Sequence, residues 1–118
     1  MFTAYLIVAI VTIVINAGIA AADFARAPFV LENSAAVDVP PSWIPPLASL
    51  KAAGAAGLLL GLLGVPFVGT AAAIGLVLFY FGAVLAHVRA RVLYNIAFPG
   101  GFLALAVATL VLDLAQAR

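Results

Sequence analysis

The chain has 118 residues, of which 68% are hydrophobic and 8% charged, and its net charge is +1. A soluble domain carries about 25% charged residues, so this composition belongs in a lipid bilayer, as one membrane domain over 1–118. The near-neutral charge excludes the basic surface that nucleic acid requires. The lack of cysteine excludes disulfides, thiolate metal sites, iron–sulfur clusters and Cys nucleophiles, and a single histidine excludes bis-His haem within the chain.

The first expected span runs over about 3–22, and Asn16 is its one strongly polar residue. Ala20-Ala21-Ala22 has the small residues of a signal-peptide cleavage site, but no Lys or Arg precedes the apolar run. That run also exceeds a signal h-region of about 7–15 residues, so a retained membrane helix is expected. A long loop follows over 23–46, with Asp23, Arg26, Glu32, Asp38 and most of the prolines. Val39–Pro46 should be extended or turning, because proline lacks the amide donor and disfavours helix before it. Trp43, set among these prolines, suits an anchor at headgroup level.

From Ala52 to Ala86 no side chain is charged. That stretch is too long for one crossing of a ~30 Å hydrocarbon core, and Gly64-Val65-Pro66 breaks it near its middle. It therefore reads as two helices, about 47–64 and 67–87, joined by a tight turn. Gly54, Gly57, Gly61 and Gly64 share one stripe of the second span, a small-residue pattern that lets helix backbones approach in lipid. Packing between spans is the favoured use of the stripe, ahead of a homodimer face. Gly75 and Gly82 mark one face of the third span, which ends His87-Val88-Arg89-Ala90-Arg91. The fourth span is expected over about 92–114 as a helix kinked at Pro99-Gly100-Gly101, because the run after the kink is short for a crossing. The expected fold class is thus all-α, an integral membrane four-helix bundle. Counting Lys and Arg near the span ends puts loop 23–46 in the cytoplasm and both termini outside.

Chemistry-bearing residues are few. Lys51 lies inside the second span, where it either snorkels to the interface or pairs with a carboxylate or ligand headgroup. With His87, Arg89 and an acid from Glu32, Asp38 or Asp23, it can form a polar mouth over an apolar bundle. The competing reading makes Arg89 and Arg91 lipid-phosphate anchors and His87 a helix cap. Asn16 and Tyr80, with Thr70 and Thr12 as weaker cases, suit interhelical hydrogen bonds worth about 1 kcal/mol. Asp113 is expected at the interface near Arg118. The candidate ligand-binding residues are therefore Lys51, His87, Arg89, Tyr80, Asn16 and Trp43. No catalytic set, metal-ligand set or phosphate-binding loop is visible.

Pro46-Leu47 followed by Leu50-Lys51-Ala52-Ala53-Gly54-Ala55-Ala56-Gly57-Leu58-Leu59-Leu60-Gly61-Leu62 resembles the second span of the DoxX-like membrane proteins. Ala71-Ala72-Ala73-Ile74-Gly75-Leu76 and Gly82-Ala83-Val84-Leu85-Ala86-His87-Val88-Arg89 are similar to the family's third span, and the Ala-His-x-Arg ending is the most specific piece. The resemblance implies a four-helix bacterial plasma-membrane protein and singles out Lys51, His87 and Arg89. It also implies a link to quinone-dependent oxidoreductases or oxidative-stress assemblies.

The leading expectation is an accessory, non-catalytic bundle that binds a quinone or lipid, with no redox cofactor of its own. The alternatives are a membrane subunit of a quinone-linked oxidoreductase and a purely structural subunit of a larger complex. Membrane lipids, a membrane-protein partner or a second copy are the expected partners, and nucleic acid is not. A proton-coupled exporter ranks last, since Asn16 cannot titrate and no ionisable group is expected at mid-membrane depth.

Overall fold

A computed structural model describes residues 2–116. Among these residues the chain forms five α-helices and no strand. The helices are α1 (Phe2–Phe24), α2 (Pro28–Ala36), α3 (Ile44–Leu62), α4 (Val68–Arg89) and α5 (Ala97–Gln116), with a 3-10 turn, Pro41–Trp43, leading into α3. Four helices, all but the short α2, are long and apolar enough to cross a membrane. At 1.5 Å per residue each reaches roughly 30 Å, the thickness of the hydrocarbon core. Their outward faces are apolar, with Ile7, Val14, Leu59, Leu78, Phe81 and Val111 all exposed. The protein is an integral membrane all-α bundle.

The four long helices form a closed square. α1 packs beside α3 and α5, and α4 packs beside the same two, so α1 and α4 face each other across the diagonal. The fold inverts the soluble pattern. The inward stripe of α1 is Tyr5, Ala9, Thr12, Asn16, Ala20 and Asp23, at spacings of three and four. Lipid offers the polar members no hydrogen-bond partner, so they turn toward protein. The Tyr80 hydroxyl of α4 donates to Asn16 Oδ1 across the diagonal. Asn16 Nδ2 in turn donates to the Thr12 carbonyl at 2.8 Å. The Thr12 and Thr109 hydroxyls meet at 3.0 Å and tie α1 to α5. The remaining core is small and apolar: Leu58, Ala73, Leu76 and Ala106 pack around the Tyr80 ring.

The glycine stripe is consumed within the bundle. A Cβ at Gly57 would lie 2.6 Å from Ala72 Cβ, and one at Gly61 would lie 2.7 Å from Gly69 Cα. Gly54 similarly faces the buried Leu76 side chain. Gly64 departs from the expected stripe. It sits beyond the end of α3 at φ +102°, closing the helix as Val65 N–H donates to the Leu60 carbonyl at 3.1 Å. The same cap ends α1, α2 and α4, where Arg26, Asp38 and Arg91 hold the left-handed position at φ 55°, 62° and 58°. All three are exposed and charged.

Three further expectations need correction. The 23–46 segment is not an open loop: α1 runs on to Phe24, and Pro28–Ala36 forms α2, with Pro28 at a first-turn position where its missing N–H costs nothing. Val39–Trp43 is extended and turning as expected, but Ile44–Pro46 is already helical. Pro41–Trp43 forms a 3-10 turn, and Pro45 and Pro46 sit in the first turn of α3 for the same reason. Finally, α5 begins at Ala97 rather than near Val92, and Pro99-Gly100-Gly101 lies in its first turns instead of kinking a longer helix. Starting at Ala97 leaves Pro99 without a broken backbone bond, because the first four N–H groups of a helix have no intrahelical acceptor.

The close α3–α4 contact has a direct test. Gly61→Ala should destabilise the bundle by about 1–3 kcal/mol, because the added methyl meets backbone that cannot yield. Gly75→Ala, where a Cβ has open space, should change thermal stability in detergent by less than about 0.5 kcal/mol. Equal effects at the two sites would contradict the packing described.

Candidate functional site

At the end of the bundle carrying α2, a cavity of about 330 Å³ opens between the roof formed by α2 and the four long helices. Its walls are largely apolar: Ile19 of α1, Val30 of α2, Leu47 of α3, Phe79 of α4 and Phe98 of α5. The polar groups collect at a few points. Lys51 Nζ lies 2.8 Å from Asp23 Oδ2, the one salt bridge among the described residues. The two side chains are 15% and 6% exposed, so the pair is largely withdrawn from solvent.

Sequence and helix geometry explain this meeting. α3 starts at Ile44, which places Lys51 about 10 Å along the helix, too deep for an unpaired ammonium to sit comfortably. Asp23 lies in the last turn of α1 on that helix's inward stripe, and α1 packs against α3. The ammonium also lies 5.5 Å from the Phe79 ring centroid, a favourable cation–π distance. Of the two sequence readings for Lys51, the structure has the paired one, and of the three acids considered the partner is Asp23.

His87, in the last turn of α4, lines the same cavity. Its Nδ1 lies 2.9 Å from the Ala83 carbonyl, and a carbonyl only accepts, so Nδ1 carries the proton. The His87 backbone carbonyl also takes part in the α4 cap, accepting from Val92 N–H at 2.9 Å. Trp43 lines the roof side and is 57% exposed. Tyr80 forms part of the wall, and Asn16 lies beneath it, reached only through the Tyr80 hydroxyl. Arg89 is exposed and does not line the cavity. It stands two residues beyond His87, which turns it to another side of α4. Lys51, His87, Tyr80 and Trp43 are thus brought together, Asn16 stands behind them, and Arg89 is left outside.

Two residues of the site escaped the sequence reading. Asn95, just before α5, donates through Nδ2 to Asn33 Oδ1 of α2 at 2.9 Å, fastening the roof to the bundle. Its Oδ1 is buried without a partner. Nothing in the local sequence marks either asparagine, because both lie in segments without a readable period. The inward turn of Asp23 did leave a signal, the three- and four-residue spacing of polar side chains along α1.

A second cavity of about 250 Å³ lies at the opposite end, bordered by Tyr5, Gly69, Thr70 and Asp113. There the Thr70 hydroxyl donates to Asp113 Oδ2, which brings the carboxylate to the first turn of α4, where a helix favours negative charge. Arg118, expected beside Asp113, lies outside the described residues. Among the described residues no three His, Asp or Glu side chains cluster closely enough to hold a metal ion.

The ion pair can be tested by a double-mutant cycle. Asp23→Asn alone should strand a buried ammonium and cost about 2–4 kcal/mol, read by thermal unfolding in detergent. Asp23→Asn combined with Lys51→Met should recover most of that loss. Additive effects would mean that the two side chains do not interact in the folded protein.

The sequence profile of the DoxX-like family matches residues 7–109, a stretch that includes α2, α3 and α4, most of α1 and α5, and every residue lining the cavity beneath α2. No curated protein and no solved structure matches the chain. The inward stripe from Ala9 onward, the glycine-packed central hairpin and the Ala-His-x-Arg ending of α4 all fall within the matched stretch, and the chain belongs to the DoxX-like family.

Proposed function

We propose that this DoxX-like protein is an accessory bundle that binds a hydrophobic small molecule, a quinone or a lipid, in the cavity beneath α2. The observation that carries this reading is the shape and chemistry of that cavity. It has largely apolar walls, a few polar side chains among them, and about 330 Å³ of space, the low end of the range for small-molecule sites. Such a layout suits a molecule with an oily body and one polar end. No nucleophile–base pair stands in the cavity, and the proposed role is binding or presentation rather than bond-breaking.

In this reading the protein sits in a bacterial plasma membrane with α2 and the cavity on the cytoplasmic side. Arg26, Arg89 and Arg91 lie near the helix ends at that side, as the positive-inside rule favours. A partner that consumes or supplies the ligand, such as a quinone-linked oxidoreductase, would meet the bundle there.

The test is extraction of the protein purified from its native membrane, followed by mass spectrometry of the released small molecules. About one equivalent of a single hydrophobic species should accompany the wild type. It should be lost from Ala86→Phe, which fills the cavity from α4. A wild-type protein with no such species, or one equally loaded after Ala86→Phe, would contradict the proposal.

A further inference from the structure

The helix that roofs the cavity is held differently from the other four. We propose that α2 is a ligand-dependent element: filling the cavity docks it on the bundle, and release of the ligand frees it. This rests on the reading of the cavity as a ligand site and adds a regulated element to that site.

α2 spans only nine residues, Pro28–Ala36. Helices shorter than about 12–15 residues are marginal in water, so α2 depends on what it packs against. Little of the protein meets it. Val30 is its one buried residue. The element it packs against most is the 3-10 turn Pro41–Trp43, not a long helix. Phe29, Val30, Asn33 and Ser34, with Val37 just beyond, line the cavity instead of seating on the bundle. A side chain that borders open space forgoes the dispersion contacts a packed neighbour supplies. An apolar ligand body in the cavity touches α2 and the long helices at once, and so supplies those contacts.

The protein's own fastening of α2 is weak. Among the described residues, Asn33–Asn95 is the one side-chain hydrogen bond or ion pair between α2 and the rest of the chain. The same arrangement leaves Asn95 Oδ1 buried without a partner. Such an orphan costs about as much as a neutral hydrogen bond contributes, so the tie favours docking little. The corners on either side of α2 also carry strain. Arg26 and Asp38 hold φ 55° and 62°, left-handed angles that are costly for a residue with a Cβ. The long helices are fastened to one another elsewhere, through Lys51–Asp23, Tyr80–Asn16 and Thr12–Thr109, so α2 can leave without opening the bundle. A ligand that binds the docked state better shifts the equilibrium toward it.

The experiment follows hydrogen–deuterium exchange of the 28–36 amides in full-length protein stripped of lipid. Decylubiquinone and dioleoylphosphatidylglycerol are the probes, and one-to-one adducts are counted by native mass spectrometry. With a probe bound to saturation, the α2 amides should exchange about tenfold or more slowly than in the stripped protein, while α3 and α4 change by less than about twofold. A second arm needs no ligand. Asn33→Cys with Asn95→Cys, in a chain that has no cysteine of its own, is bridged by a short bis-methanethiosulfonate reagent. The bridged protein should show the slow rate without any probe and lose it on reduction. Equal α2 exchange with and without a bound probe would overturn the proposal and leave the cavity a ligand site. A bridge whose reduction leaves α2 exchange unchanged would overturn it too. Failure of both probes to form a saturable adduct would overturn the ligand-site reading itself, and this proposal with it.

Discussion

Hydrocarbon offers neither hydrogen bonds nor counter-charges, and that constraint shapes this protein more than any other. Each polar side chain inside the spans must find its partner in another part of the chain. Lys51 finds Asp23, Tyr80 finds Asn16, Thr12 finds Thr109, and Thr70 finds Asp113. These four contacts link α1 to α3, α1 to α4, α1 to α5 and α4 to α5. α1 enters three of them, so the helix that looks most uniformly oily in sequence is the one that organises the bundle. Glycines do the complementary work between α3 and α4, where among the described residues no side-chain hydrogen bond or ion pair crosses the interface and close backbone approach takes their place.

The same constraint creates the cavity. The ion pair holds the ends of α1 and α3 together, while α2 and the connection before α5 are joined to each other through Asn33 and Asn95. The space between these two ties is walled by apolar side chains from all four long helices. Its polar side chains come from several elements: Asp23, Asn33, Lys51, Tyr80, His87 and Asn95 all line it among the apolar ones. The opposite end of the bundle has a different character: Asp113 is drawn to the start of α4, and its cavity is bordered by the short turn between α3 and α4.

Much of this was legible in the sequence. A charge-free run broken by Gly64-Val65-Pro66 dictated two helices and a tight turn, because length against bilayer thickness admits little else. Asn16 and Tyr80 stood out as the strongest polar groups within spans, and each proved to be the other's partner. For Lys51 the sequence left snorkelling and pairing both open, and that it pairs, and with which of three acids, depended on helix phase, visible only once Asp23 is placed at the end of the α1 stripe. Proline misled twice. Pro45 and Pro46 signalled a break but lie inside the first turn of α3, and Pro99 signalled a kink but lies near the start of α5, since the first helical turn needs no N–H from them. The Asn33–Asn95 tie was beyond reach, because two short irregular segments meet there for reasons of tertiary packing alone. Arg89 does not line the cavity: His87 does, and a two-residue step on a helix turns the next side chain away.

The account depends on a neutral Lys51–Asp23 pair at the edge of an open apolar chamber. An experimental structure in a lipid nanodisc, with native lipids retained, addresses this most directly. The account predicts an elongated density between α2 and the bundle, with its polar end beside the Lys51–Asp23 pair and with that pair intact. A chamber closed by inward collapse of α2, or a Lys51 side chain directed to the headgroups apart from Asp23, would contradict it.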